Sequence, residues 1–352
     1  MKKVAILTFH RTNNYGAVLQ AYALQNTLSV IKTKTKILNY LCPFIERQRI
    51  LNFRAKSIKY LIKKIIKIPF QAYIEYKFNF FRKKLLNVTK INKNQNINNE
   101  FDIFIVGSDQ VWNSSITNND MTYLLDFVND KNKKNSYAAS FGVDYLNDEQ
   151  KILYKSLLLD FNKISVREKQ AQIIIKDLLN IEVPVVLDPT FLLSKYQWKS
   201  LAVIKEKKYV LLYLMNQDKK IINFAEILAK EKKLKLIYLS TATRKVVKAK
   251  YICPTPQEWL GYFMNAEYIV TNSFHGLCFS INFNKHFFCN LLPPPSSVNS
   301  RLENLLDLFN LRDRLIDNIG NDYDRPIDYE YVNKILDKEI EKSMDYLKEV
   351  VK

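Results

Sequence analysis

Residues 3–31 of this chain read KVAILTFHRTNNYGAVLQAYALQNTLSVI, and this stretch decides the fold class. Its first seven residues, KVAILTF, form a short apolar run that predicts a buried strand. The polar HRTNNYG follows as a loop, and apolar residues then recur at helical spacing. TKILNYL, residues 35–41, predicts a second strand. Strand, polar loop, helix and strand begin a doubly wound α/β domain.

The same alternation continues along most of the chain. It predicts further strands at FDIFIVGSD (101–109), NSYAASFG (135–142), KISVRE (163–168) and VPVVLDPTFLL (183–193), with helices around 148–160 and up to 179. From residue 208 it restarts, with strands at KYVLLYLM, LKLIYLS, EYIVTNS and HFFCNLL separated by helices. We therefore predict an α/β fold with two Rossmann-like domains, residues 1–195 and 196–330. Residues 331–352 are expected to form a C-terminal helix that packs back on the N-terminal domain.

Composition is that of a folded globular protein, with 47% hydrophobic and 25% charged residues. The apolar run at the N-terminus is about six residues long, too short for a signal or a membrane span. We therefore expect a cytoplasmic protein. The four cysteines and three histidines lack the spacing of metal ligands, and nothing favours disulfides, so we predict no metal and no cofactor.

The net charge of +19 is concentrated in one segment. Between Arg47 and Lys84 there are twelve Lys or Arg and one acid, Glu75. We interpret residues 46–86 as a basic helical insertion in the first domain. Its lysines alternate with Ile, Tyr and Phe, which predicts peripheral contact with an anionic membrane; a solvated face over the sheet is the alternative. No nucleic-acid partner is expected, because no recognised binding motif is present.

The first candidate ligand-binding residues open the first helix. Asn14, Tyr15 and Gly16 follow the first strand directly, and the N-terminus of a helix offers unpaired N–H groups to an anion. The pattern is not GxGxxG, so it gives little support to dinucleotide binding. Asn14 acting simply as a helix N-cap is the alternative.

GSDQVWN, residues 107–113, follows the most apolar strand of the first half. Asp109 and Gln110 would lie at the carboxyl end of that strand, where open α/β sheets bind ligands. Trp112 is a candidate platform for stacking a sugar. The alternative is a buried tryptophan beside an aspartate cap.

Two further charged residues end predicted strands. Arg167 presents forked donors that match carboxylate or phosphate, unless it pairs with the neighbouring Glu168. Asp188 is placed to orient a sugar hydroxyl or to cap a turn. For both residues, the sequence does not decide between the ligand-binding role and the structural role.

TNSFHG, residues 271–276, lies between a predicted strand and a predicted helix. His275 is a candidate for proton transfer, for which imidazole is the usual group near neutral pH. Ser273 and Gly276 flank it as candidate substrate-binding residues. A lone histidine is more often structural, which stays the alternative.

These motifs occur together in an order that resembles the polysaccharide pyruvyl transferase family. They span about residues 4–315 and comprise NNYGAVLQAYALQ, FDIFIVGSDQVWN, SYAASFG, SVRE, VPVVLDPTFLL, NSFHGLCFSINFNKHF and SRLENLL. The resemblance implies a fold like that of B-type glycosyltransferases, with two domains facing across a cleft that holds the active site. It also implies transfer of pyruvate from phosphoenolpyruvate to a sugar as a ketal, in capsule or exopolysaccharide synthesis.

The resemblance further implies roles for individual residues. Arg167 and His275 are expected to bind the anionic groups of the donor or to take part in catalysis, and Asp109 or Asp188 to act on the sugar. The expected acceptor is a sugar linked to polyprenyl diphosphate. Many members of the family carry arginine where this chain has Ser273. The candidates to supply the missing charge are Arg11, Lys285 and Arg301.

Two other functions remain open at this point. A glycosyltransferase that uses a nucleotide sugar would share the same fold. A family member that binds without catalysis is the second alternative, since the arginine is absent.

Overall fold

A computed structural model describes residues 1–49, 58–90, 97–241, 246–292, 299–320 and 322–352; the side chains of residues 48, 49, 58–67 and 90 are outside this description. The chain divides into two compact units. The first unit comprises Met1–Leu192 and Lys342–Lys352, and the second comprises Leu193–Glu341.

The first unit is built on a parallel five-stranded sheet. Its strands are β1 (Lys3–Leu7), β2 (Lys34–Asn39), β3 (Val88–Lys90), β4 (Ile103–Val106) and β5 (Lys134–Ser136). Their order in the sheet is β3-β2-β1-β4-β5, the Rossmann order. Every residue of β4 is buried, as expected for a central parallel strand covered on both faces.

Seven helices belong to the first unit within the described residues. They are α1 (Tyr15–Val30), α2 (Pro43–Arg49), α3 (Ile58–Leu85), α4 (Ile97–Glu100), α5 (Ser114–Thr117), α6 (Asp148–Leu158) and α7 (Lys169–Leu179). Short 3-10 turns occur at Met121–Leu124, Lys131–Lys133 and Pro189–Phe191.

The second unit repeats the architecture. Its strands are β6 (Tyr209–Tyr213), β7 (Lys235–Leu239), β8 (Lys250–Ile252), β9 (Tyr268–Thr271) and β10 (His286–Cys289), all parallel in the order β10-β9-β6-β7-β8. Counted from its own first strand, this is again the Rossmann order. Its helices are α8 (Lys195–Leu201), α9 (Lys219–Glu231), α10 (Pro256–Asn265), α11 (Phe274–Asn282) and α12 (Ser300–Leu308), with a 3-10 turn at Arg312–Arg314. The prediction of an α/β fold with two Rossmann-like sheets is confirmed.

Two of the predicted strands form only isolated bridges. Parallel bridges join Val166 to Ala139 and to Val185, without a continuous ladder. The Ser136 hydroxyl donates to Ser165 O (3.0 Å) and accepts from Ser165 N (3.0 Å), so a side chain stands where a backbone partner would be. Pro184 has no N–H to donate, which prevents a regular strand there.

The C-terminal helix α13 (Tyr329–Val350) belongs to the second unit up to Glu341 and to the first from Lys342 onward. In the first unit, the Ser343 hydroxyl accepts from Leu187 N (3.0 Å) and the Tyr346 hydroxyl donates to Ser136 O (2.8 Å). These bonds tie the end of the chain to the segments that follow the sheet.

The basic segment is described in part. Residues 50–57, with Arg54 and Lys56, lie outside the described residues, as do the side chains of Arg49 and of the lysines from 59 to 67. In the second half of α3, Phe78 and Phe81 are fully buried, and Phe78 packs on Tyr15 of α1. Among the described residues, no helix is both long and apolar enough to cross a bilayer.

Candidate functional site

The loop between β1 and α1 is held by helix α3. Arg82 donates to the backbone oxygen of Arg11 (3.1 Å) and pairs with Glu75 (2.6 Å), which in turn accepts from Asn13 (2.9 Å). The Arg11 guanidinium pairs with Glu46 of α2 (3.0 Å). Arg11 of this loop and Arg82 of α3 are therefore both engaged in ion pairs within the first unit.

At the start of α1, Asn14 acts as the helix cap. Its Oδ1 accepts from Ala17 N (3.2 Å), and Tyr15 and Gly16 are buried in the first turn. This bond is the capping role that the sequence left as an alternative for Asn14. Asn14, Tyr15 and Gly16 thus form the helix end for which the sequence predicted anion binding.

The turn after β4 requires glycine at position 107. Gly107 has φ +116°, and a Cβ atom there would lie 2.2 Å from Tyr137 O. Asp109 follows with φ +75°, and its Oδ1 accepts from Gln110 N (2.9 Å). The close approach of the chain to the Tyr137 backbone therefore leaves no room for a side chain at position 107.

Arg167 lies among three carboxylates at the same edge of this sheet. Its Nη1 donates to Asp188 Oδ2 (3.0 Å), its Nη2 is 3.6 Å from Asp109 Oδ1, and its Nε is 3.7 Å from Glu168 Oε2. Burial opposes the guanidinium charge, but Asp109, Asp188 and Glu168 outweigh it and raise the pKa of Arg167 above its usual value. The Arg167 charge is therefore compensated inside the protein.

The three carboxylates differ in how far they reach solvent. The Asp188 side chain is 0% exposed, and its Oδ1 accepts from both Thr190 N (3.0 Å) and Thr190 Oγ1 (2.8 Å). Glu168 is also buried and accepts from Ser140 Oγ (2.7 Å). The Asp109 side chain is 12% exposed, the most of the three. Asp188 thus caps a turn and holds Arg167, while Asp109 keeps the largest exposed fraction of the three.

The structure corrects the assignment of Trp112 as a stacking platform. Its indole is buried, packs against Phe141 and Phe161 with ring centroids 5.1 and 6.1 Å away, and donates from Nε1 to Tyr123 O (3.0 Å). A ring enclosed in the core has no face to offer a sugar, so the alternative of a buried tryptophan applies.

Gln110 sits beside this turn and is half-buried. Its Oε1 accepts from Asn113 Nδ2 (2.8 Å), and a Cβ atom on Gly142 would lie 2.0 Å from that oxygen. Gly142 also has φ +61°, a backbone conformation that favours glycine there.

In the second unit, Ser273 caps helix α11 directly after β9. Its Oγ accepts from Gly276 N (3.3 Å), and its own N donates to Thr271 Oγ1 (3.1 Å). A Cβ atom on Gly276 would lie 2.4 Å from Thr271 Oγ1. Arginine has no acceptor atom and cannot make this cap, so the serine and the glycine here form one compact turn.

His275 lies in the first turn of α11 and is almost completely buried. Its ring meets the Phe274 ring edge-on, with centroids 5.2 Å apart. Arg301 of α12 lies on that phenylalanine, with Cζ 5.7 Å from the ring centroid. The structure thus places an arginine distant in sequence over the ring of Phe274, the residue that directly precedes His275.

The other two candidates for the missing charge are placed elsewhere. Lys285 precedes β10, at the amino edge of this parallel sheet, whereas His275 follows the carboxyl end of β9. Lys285 Nζ donates to Met264 O (2.9 Å), and burial lowers the pKa of Lys285. Arg11 is paired with Glu46 in the first unit. Of the three candidates, Arg301 is the one whose guanidinium lies over a residue of the first turn of α11.

Two polar residues at the carboxyl edges were missed by the sequence analysis. Asn272 bridges β9 to the segment after β6, because it accepts from Met215 N (2.8 Å) and donates to Asn216 O (2.9 Å). His10 follows β1, and burial lowers its pKa to about 4 although Thr8 O and Asn39 Oδ1 each lie 3.2 Å from a ring nitrogen. Both residues follow an apolar strand, and this position is the sequence feature that could have identified them.

Within the described part of the chain, no group of three or more His, Cys, Asp or Glu side chains is arranged to hold a metal ion. The carboxylates Asp109, Asp188 and Glu168 surround the guanidinium of Arg167 instead.

The two sheets define the class of this protein. Each is a Rossmann-type parallel sheet with polar side chains after the carboxyl ends of its central strands, which is the ligand-binding edge of doubly wound α/β proteins. The chain belongs to the polysaccharide pyruvyl transferase family, whose model matches residues 14–289. This match confirms the resemblance and identifies a family of transferases.

Similar solved structures are distant in sequence. UDP-GlcNAc 2-epimerase from Neisseria meningitidis, bound to UDP-GlcNAc, is 11% identical with a TM-score of 0.49, over 99% of this chain and 99% of that one. MurG from Acinetobacter baumannii is 9% identical with a TM-score of 0.43, over 100% of this chain and 99% of its own. A comparison with curated proteins finds no match. The assignment rests on the family match and on the strand orders.

Proposed function

We propose that this protein transfers pyruvate from phosphoenolpyruvate to two hydroxyls of a sugar, as a step in surface polysaccharide synthesis such as that of a capsule or exopolysaccharide. Membership of the polysaccharide pyruvyl transferase family supports the reaction class. The observation that carries the assignment of residues is the placement of Arg301 over the ring of Phe274, which directly precedes His275 in the first turn of α11.

Ketal formation requires defined proton and bond changes. A general acid protonates the methylene carbon of phosphoenolpyruvate, and a sugar hydroxyl adds to C2, which has oxocarbenium character. The C–O bond to phosphate breaks, and a second hydroxyl of the same sugar closes the ring. The two hydroxyls release two protons in all, of which one balances the proton now on carbon and the other remains on phosphate. The protein must supply a proton donor, a base and cations for the donor's anionic groups.

For the donor, we assign Arg301 as the cation and His275 as the proton donor. Arg301 supplies the forked guanidinium that the family carries two residues before the histidine, at the position of Ser273 here. Ser273 and Gly276 shape the turn that holds His275 in the first turn of α11. In this proposal the cation comes from helix α12 instead of the position of Ser273.

For the acceptor, we assign Asp109 as the group that orients and deprotonates a sugar hydroxyl. Arg167 and Asp188 position it, since Asp188 Oδ2 receives Arg167 Nη1 at 3.0 Å and Arg167 Nη2 lies 3.6 Å from Asp109 Oδ1. This differs from the donor-binding role that the resemblance implied for Arg167, because three carboxylates already surround its charge. Gln110 stands next to Asp109 and is half-buried, so it is a second candidate contact for the sugar.

The acceptor in this proposal is a sugar linked to polyprenyl diphosphate. The experiment measures phosphate release from phosphoenolpyruvate with a panel of lipid-linked sugars, followed by the mass of the product. We expect release that depends on the acceptor, and a product heavier by one pyruvic acid less one water. Absence of release together with thermal stabilisation by a UDP- or GDP-sugar would contradict the proposal and favour a glycosyltransferase.

A further inference from the structure

The outward side of helix α3 carries exposed aromatic residues that the fold does not use. Tyr73, Tyr76 and Phe80 are 49%, 68% and 50% exposed. They are spaced three and four residues apart, so they lie on one side of the helix, and Lys83 and Lys84 continue that side by one turn. We call these five residues the aromatic–lysine face.

The opposite side of the same helix is already packed. Phe78 and Phe81 are fully buried, and Ile74 is nearly so. The aromatic–lysine face is therefore not the core-facing side of an amphipathic helix that has been left uncovered. Grouped aromatic side chains exposed on a folded unit mark an interaction surface.

The charge of this face is positive. Lys84 Nζ lies 5.7 Å from the Phe80 ring centroid, and Lys77, next to the face, has its Nζ 4.3 Å from the Tyr73 ring centroid. Glu75, the one acid between Arg47 and Lys84 in the sequence, is directed to Arg82 and Asn13. Among the described side chains of α3, no carboxylate thus offsets the lysines of the aromatic–lysine face.

We propose that the aromatic–lysine face binds an anionic lipid bilayer surface. Tyrosine and phenylalanine rings insert at the level of the lipid headgroups, while lysine stems extend their ammonium groups to the phosphates. Charge favours lipid over a second copy of the chain, because a two-fold contact through this face would set lysines against lysines. The proposal does not depend on the reaction that the protein catalyses.

The test is co-sedimentation of the full chain with vesicles of phosphatidylcholine, with and without phosphatidylserine. We expect binding to the phosphatidylserine vesicles that weakens with salt, and little binding to neutral ones. Tyr76→Ser with Phe80→Ser, and separately Lys83→Glu with Lys84→Glu, should each weaken binding roughly tenfold or more.

The matched controls carry comparable changes at other exposed positions, from aromatic residues to serine in one and from lysine to glutamate in the other. Tyr145→Ser with Tyr196→Ser alters two exposed tyrosines, and Lys155→Glu with Lys230→Glu gives the same net charge as the lysine variant. Binding should remain close to that of the unmodified protein in both controls. Circular dichroism and thermal unfolding establish that each variant is folded, and the two test variants are independent of each other.

Three results would overturn the proposal. The first is absence of binding to phosphatidylserine vesicles by the unmodified protein. The second is equal loss of binding in the lysine variant and its matched control, which would show attraction by net charge alone. The third is a dimer in light scattering that Tyr76→Ser with Phe80→Ser dissociates, which would assign the face to a second copy of the chain.

Discussion

Arg301 Cζ lies 5.7 Å from the centre of the Phe274 ring, and Phe274 directly precedes His275. A guanidinium placed over the face of an aromatic ring is attracted by the ring quadrupole. Helix α12 thus places the Arg301 guanidinium over Phe274, next to Ser273, the position at which many family members carry arginine. The first prediction follows from this pair.

Arg301→Met should reduce kcat/KM for phosphoenolpyruvate by about a hundredfold, because a buried cation that binds the donor is lost. The kcat/KM of Arg301→Lys should lie between those of Arg301→Met and the unmodified protein, since lysine keeps the charge without the forked donors. The measurement is phosphate release at varied phosphoenolpyruvate. Lys285→Met, at the other edge of the sheet, is the control and should stay near the unmodified rate. A larger effect at Lys285 than at Arg301 would reverse the assignment.

His275→Ala should lower turnover on the order of a hundredfold or more if His275 transfers a proton. The KM for phosphoenolpyruvate should change much less than kcat. The measurement is steady-state phosphate release, with thermal unfolding to show that the variant is folded. A folded variant that turns over near the unmodified rate would remove His275 from the mechanism.

Removal of the carboxylate should mainly affect activity at Asp109 and mainly affect stability at Asp188. Asp109→Asn, which suits the φ of +75° at this position, should abolish most activity at a smaller cost in stability, because Asp109 lies 3.6 Å from Arg167 and its side chain is 12% exposed. Asp188→Ala should lower the free energy of unfolding by about 3 kcal/mol, because it leaves Arg167 buried with one partner fewer. Denaturant unfolding and phosphate release on both variants decide the matter. Equal loss of stability in the two would contradict the proposed division of roles.

His10 should make the first unit less stable in acid. Burial lowers its pKa from 6.5 to about 4, so between these values the unfolded chain binds a proton that the folded chain does not. Stability therefore falls as pH drops below 6.5, by about 2 kcal/mol between about pH 7.5 and about pH 5. His10→Gln should lose this contribution. The measurement is denaturant unfolding of both proteins at the two pH values, and an identical pH effect in both would contradict the prediction.

The sequence predicted the helices and strands well where apolar spacing is regular, as in β1, α1, β4, β6 and α9. It failed at residues 163–168 and 183–193, where Ser136 and Pro184 interrupt the ladder. The short strands β3 and β8 were not predicted, because three residues carry too little periodicity to distinguish a strand from a loop.

The sequence by itself determined the family, the two Rossmann-type sheets and the edges at which polar residues collect, because these follow from local periodicity and from motif order. Only the tertiary structure decided which charges are compensated. Arg167 meets Asp109 and Asp188 from other segments, Trp112 is enclosed by Phe141, and Arg301 reaches Phe274 from a later helix. Such contacts join residues far apart in the chain, and burial then fixes whether each group is held within the protein or presented to a ligand.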